Sequence, residues 1–365
     1  MRKITWFIVL LLFMTSLSVP GVHAADKEPE YVLTLNLPIP PIHNRWHYAM
    51  KDWCEEIYKR SNGRLKIVPY FSEALSKESE AYESVKYGVA DIAEFSYDVA
   101  IGHFPFHERV FTTVSMGRSM ENPTDWLVEI ENAFPETMKE LEGVKLLFSH
   151  AQTMGMLIGS SEPIRSLDEL RNKKVNVIGD YQVANKLRGL GVSVVSVPMA
   201  DVYMSLQQGV IDAASCDFDL LVSRRLGDIV KHVTMLQTTC FVFCVVMNEN
   251  AYNRLPEDLK AVIDSVSGEY GRNIFKKFWN TLPYNALETW ITKMGGQLHI
   301  LTPKEYEEVD AAMIPVVDEW KNIVEKSGYS GNDMVDRIRQ IGEKYSCPWE
   351  NSRAVQFMKQ LQANK

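Results

Sequence analysis

The 365-residue sequence is 46% hydrophobic and 24% charged, which marks a core-forming protein long enough for two domains and excludes a disordered chain. Its net charge is -8, or -10 once a leader carrying Arg2 and Lys3 is removed. That excludes the phosphate backbone of nucleic acid and an anionic membrane surface as partners, leaving a small molecule or another protein. The first 24 residues have the three parts of a signal peptide: a basic start, an apolar stretch from Ile4 to Met14, and Val22-His23-Ala24 as a small-x-small cleavage site. No later apolar run is long enough to span a bilayer, so an exported, soluble monomer is expected, without membrane insertion. The five cysteines, Cys54, Cys216, Cys240, Cys244 and Cys347, match no metal spacing and are expected as inert thiols.

In chain order, Tyr31–Leu37 reads as a strand ended by Pro38-Ile-Pro-Pro41. Trp46, Met50, Trp53 and Ile57 recur at helical spacing, and Asn62-Gly63 stops that helix. Leu65–Phe71 is a strand, Glu78–Tyr87 a helix stopped by Gly88, and Asp91–Phe95 a third strand. The rhythm restarts after residue 150, with strands at Met156–Gly159, Lys174–Ile178, Val192–Val197 and Ile211–Ser215. Between them lie a short helix opened by the capping box Ser166–Glu169, a helix at Ala184–Leu190 and another at Asp201–Gln208. The apolar run from Cys240 to Val246 is a further strand. Thr302-Pro-Lys-Glu305 opens a long apolar stripe, Tyr306 to Ile323, which reads as one bracing helix kinked at Pro315. Two β-α units imply an α/β protein of two lobes, with a ligand cleft at the carboxyl ends of the strands.

No nucleophile elbow or phosphate loop is present. His43 and His47 lack a third metal ligand, and Pro105 separates His103 from His107, so neither a metal nor a cofactor is expected. Asp217 and Asp219 form a possible acid/base pair where a strand turns into a helix, a place that equally suits an N-cap.

The segment Val197-Pro-Met-Ala-Asp-Val-Tyr-Met-Ser-Leu-Gln-Gln-Gly-Val-Ile-Asp212 closely resembles one typical of the solute-binding proteins of TRAP (tripartite ATP-independent periplasmic) transporters. In matching order stand Asn62-Gly-Arg-Leu-Lys-Ile67, Ser84–Asp91, Glu162–Leu170 and Asn248–Leu259, so the resemblance covers about residues 30–325. It implies a periplasmic-binding-protein architecture with mixed, mostly parallel sheets and a hinge, closing on a small solute for delivery to a TRAP-type membrane permease, without catalysis. Residues 25–153 with about 242–281 are expected as lobe I, 154–241 with about 282–330 as lobe II, and 331–365 as a helical C-terminal extension.

The resemblance also implies a pocket, and there the sequence departs. The strand that usually carries a carboxylate-pairing Arg has Asn176 at that position. Met156 stands for a second Arg, Met199 for a ligand-packing aromatic, and Cys216 for a polar residue beside Asp217 and Phe218. An ordinary carboxylate is therefore not the expected ligand; an amine, a phosphate or sulfonate, or a neutral polar solute is. His43 and Asn44 open the first helix, whose start at His43–Arg45 suits a phosphate or sulfonate, while Ser96 and Tyr97 follow the third strand and are expected to face the cleft. A periplasmic sensor module and an exported enzyme using Asp217 and Asp219 are the other readings.

Overall fold

The computed structural model describes residues 28–363 except 101, 154 and 178–180. The expected leader lies outside the described residues. The strands are β1 (Tyr31–Asn36), β2 (Leu65–Tyr70), β3 (Ile92–Ser96), β4 (Arg118–Met120), β5 (Val144–Ala151), β6 (Met156–Ser160) and β7 (Lys174–Asn176). After these come β8 (Ser193–Val195), β9 (Ala213–Cys216), β10 (His232–Thr239), β11 (Val242–Asn248), β12 (Gln297–His299) and β13 (Ser346–Pro348). One sheet has the order β2-β1-β3-β11-β5 and the other β12-β10-β6-β9-β7-β8, with β13-β4 as a separate ribbon.

Both sheets are mixed, because the chain crosses between the lobes along strands. It leaves lobe I through β5 and β6 and returns through β10 and β11, and a return path must run opposite to the outgoing one. Hence β11 is antiparallel to β5, and β10 to β6, while β1, β2 and β3 pair in parallel. The two crossings are stitched together where the Gln152 amide donates to the Phe241 carbonyl at 3.0 Å. The strand expected from Cys240 begins only at Val242, and Cys240 sits in the crossing itself. All five cysteines are free.

On β11, Val242, Cys244 and Val246 enter one lobe I core and Phe243, Val245 and Met247 the core on the opposite face, as period-2 geometry requires. Lobe II has its own core, built on Leu157, Val175, Ala214 and Val233. The longest helix, Glu269–Met294, spans about 39 Å and belongs to both lobes. Phe275 and Trp279 pack into lobe I, Leu287 and Trp290 into lobe II. The Tyr306–Ile323 stripe is two helices, not one kinked helix: Pro303–Ala312 and Ile314–Lys326. Pro315 occupies the first turn of the second, where its missing N–H leaves no bond unmade. Tyr306, Val309 and Met313 join the lobe II core; Val317, Trp320 and Val324 join lobe I. The Thr302–Glu305 capping box forms, whereas the Glu169 carboxylate accepts from Arg165 N, one residue ahead of the Ser166 cap.

Gly155 shows how tightly the crossings are set. Its φ is +53°, and a Cβ there would lie 2.0 Å from the Thr239 carbonyl oxygen, a backbone atom. Gly155→Ala is therefore expected to cost roughly 2–4 kcal/mol, read as a lowered urea midpoint. A native midpoint would show that the paired strands slide apart at no cost.

Candidate functional site

A cleft of about 330 Å³ opens between the lobes. Its lobe I wall is made by residues after β1, where the prolines end the strand and turn the chain into the first helix. His43 Nδ1 accepts from the Arg45 amide at 3.1 Å. Burial and the adjacent Arg45 charge push His43 down to about 4, so its ring is neutral.

Arg45 reaches inward. Its Nε lies 3.0 Å from Glu94 Oε2, and its guanidinium lies 4.4 Å from the Phe243 ring centroid. Glu94 is fully buried on β3, and its other oxygen meets His150 Nε2 at 3.1 Å. Trp279 Nε1 donates to His150 Nδ1 at 3.1 Å, which leaves the His150 proton on Nε2 and directs it at Glu94. Burial alone would raise Glu94, but the Arg45 charge and the His150 bond outweigh it and hold the carboxyl below its ordinary value. Burial lowers His150. The result is a chain of buried polar groups, Arg45–Glu94–His150–Trp279, ending at the cleft surface.

The lobe II wall is acidic. Asp217 Oδ1 caps the helix Phe218–Ser223 by accepting from Leu220 N at 2.8 Å, and Oδ2 accepts from Gln152 Nε2 at 2.8 Å. Asp219 Oδ1 accepts from Asn44 Nδ2 at 3.0 Å, a bond between the lobes. Burial pushes Asp217 up to about 6, aided by the charge of Asp219, and burial also raises Asp219. Because Gln152 Nε2 faces a carboxylate, its Oε1 points the other way, buried and without a partner among the described residues. Glu78 and Ser96 also line the cleft, and Glu78 Oε1 accepts from Ser96 N at 3.0 Å; the rest of the lining is apolar, with Met156, Met199 and Leu220 on one side and Phe241, Phe243, Phe278 and Trp279 on the other.

Residues 39–323 match the family described as bacterial extracellular solute-binding protein, family 7 (DctP). The chain belongs to this family. Proteins similar to it include a solute-binding protein of Albidiferax ferrireducens, 23% identical over 60% of this chain and 65% of that protein, so this chain spans just under two thirds of that relative. The ectoine-binding periplasmic protein TeaA of Halomonas elongata is 21% identical over 84% of this chain and 92% of its own. A TRAP periplasmic solute binding protein from Desulfovibrio salexigens, 22% identical, superposes over 90% of this chain and 99% of its own with a TM-score of 0.79. The protein is thus a member of a solute-binding family and not of an enzyme family, and it has the two-lobed α/β fold of that solved structure. Among the described residues no helix is long and apolar enough to cross a membrane, and no three His, Cys, Asp or Glu gather to hold a metal.

Within this DctP receptor, His43, Ser96, Met156, Met199 and Asp217 line the cleft, and Asn44 reaches it through Asp219. The other four expected site residues lie elsewhere. Tyr97 is fully buried in a lobe I core, stacked on His107 at 4.6 Å, because consecutive residues at the end of β3 point to opposite sides. Phe218 packs 5.9 Å from Trp290 inside lobe II, and Cys216 is buried beneath β6 against Gly159. Asn176 is fully buried in β7, where Oδ1 accepts from Val197 N at 2.7 Å and Nδ2 has no partner among the described residues. Glu94, Gln152 and Trp279 were missed from the sequence, and Arg45 was read only as part of the helix opening His43–Arg45. A lone Glu in the otherwise apolar Ile92-Ala-Glu-Phe95 was the available signal, since a buried carboxylate requires a buried partner.

Proposed function

We propose that this receptor captures a small organic solute bearing a cationic amine and delivers it to a TRAP-type permease. The observation that carries this reading is the pair of carboxylates on the lobe II wall, Asp217 and Asp219. An ammonium offers three donors and a positive charge, which matches two carboxylates. The aromatic wall of Phe241, Phe243, Phe278 and Trp279 suits the apolar body, and ring faces add attraction for a cation.

Simple dicarboxylates fit poorly. They would meet Glu78, Asp217 and Asp219, and the position where the family resemblance places an arginine holds the uncharged, enclosed Asn176. Primary amines are expected to raise the melting temperature of the mature protein, and succinate or malate to leave it unchanged. Sub-micromolar succinate binding by calorimetry would overturn the reading.

A further inference from the structure

We propose that Arg45 anchors an anionic group of the solute, so that the cleft takes a zwitterion with its anion on lobe I and its amine on lobe II. The proposal rests on the amine reading above and extends it to the opposite wall.

The geometry divides the guanidinium into two edges. The Nε side meets Glu94 at 3.0 Å, and the flat face covers Phe243. The terminal nitrogens make no hydrogen bond with any described residue, while Arg45 lines the cleft. With the Arg45 side chain only 7% exposed, those donors have little water to replace a missing partner. A fork of two N–H groups held in this way fits a carboxylate or phosphate end-on. Glu94, His150 and Trp279 set the angle of that fork, and Phe243 keeps it from rolling.

Charge decides between ligand classes. Arg45 is balanced by Glu94, so the cleft keeps the negative charges of Glu78, Asp217 and Asp219. A purely anionic solute would have to approach all three. A purely cationic one would leave the Arg45 terminal donors shut away from water with no acceptor when the lobes close over it. The acidic wall does not supply that acceptor, since Arg45 pairs with Glu94 and makes no ion pair with Asp217 or Asp219, whose side chains bond Gln152 and Asn44. A solute with both charges satisfies both walls.

The test uses matched probes in which one skeleton carries an amine, a carboxylate or both: phenethylamine, 3-phenylpropanoate and phenylalanine, with isopentylamine, 4-methylpentanoate and leucine as an aliphatic set. Calorimetry on the mature protein is expected to rank a zwitterion above both partners of its set by tenfold or more. Arg45→Lys keeps a cation for Glu94 but loses the fork, and is expected to weaken the zwitterion roughly 10- to 100-fold while leaving the amine-only probe unchanged. The double variant Arg45→Gln/Glu94→Gln removes both buried charges together and should show the same selective loss if the single variant folds poorly. An amine as tight as its zwitterion, or an equal loss for both in the variants, overturns the role of Arg45 and leaves the amine reading standing. Failure of every amine-bearing probe overturns both.

Discussion

Replacing Asp217 with Asn is expected to stabilise the protein and at the same time destroy its affinity for amines. Burial has moved this carboxyl from an ordinary 3.8 to about 6, so the folded state holds its ionised form at a disadvantage. At pH 7 the group is ionised in both folded and unfolded chains, and the disadvantage is fully felt, at most ~3 kcal/mol. Between about pH 4 and 6 the folded state binds more protons than the unfolded one, so this group's contribution makes stability fall as pH rises through that window and level off above it. An Asn retains the N-cap of Phe218–Ser223 and can face a reoriented Gln152 amide, so the variant should gain roughly 1–3 kcal/mol at pH 7 and lose that pH dependence. Amine affinity should drop about 100-fold with the lost charge partner. Wild-type affinity should fall likewise as Asp217 protonates below about pH 6. Urea unfolding and calorimetry over pH 4–8 check all three; a variant less stable than wild type with native amine affinity would remove Asp217 from the site.

The largest loss of stability is expected from Glu94→Gln. This change keeps the shape of the side chain but leaves the Arg45 guanidinium buried opposite a neutral amide, and breaking a buried pair from one side costs about 3–5 kcal/mol. Adding Arg45→Gln should recover much of that loss, because the pair and its desolvation cost then go together. Chemical unfolding of the two single variants and the double one gives the coupling directly. If Glu94→Gln unfolds at the native midpoint, Arg45 has turned to water and the buried chain is not what positions it.

The β-α rhythm was legible because parallel strands and their covering helices carry punctuation that single residues provide: Gly63, Gly88 and Gly209 all sit at positive φ where an element stops. The crossing strands were harder to read. Every residue of β11 is buried on one face or the other, so no alternation marks it off from a buried helix, and β5 and β10 were not recognised at all. Tyr97 was misplaced by assigning two consecutive residues to one side of a strand end. Arg45 was weighed only with His43 and Asn44, as a helix opening suited to an anion, because the groups that hold its side chain come from β3, β5 and the long helix. No spacing rule links position 45 to 94, 150 and 279. Only the fold brings them together.

The long helix has a mechanical consequence. It is one of several chain paths that join the lobes, and it has Pro283 within it, at the cleft, removing the hydrogen bond that would otherwise run back to Trp279. The helix is therefore weakest where it passes the bound solute, between the part anchored in lobe I and the part anchored in lobe II. A molecule resting on Trp279, Leu282 and Pro283 touches the pivot itself. Its thickness there sets how far the joint bends, and the lever arm of each lobe magnifies that bend toward the place where Asn44 meets Asp219. Replacing Pro283 with Ala is therefore expected to stiffen the joint and to reduce the ligand-induced compaction read by small-angle scattering.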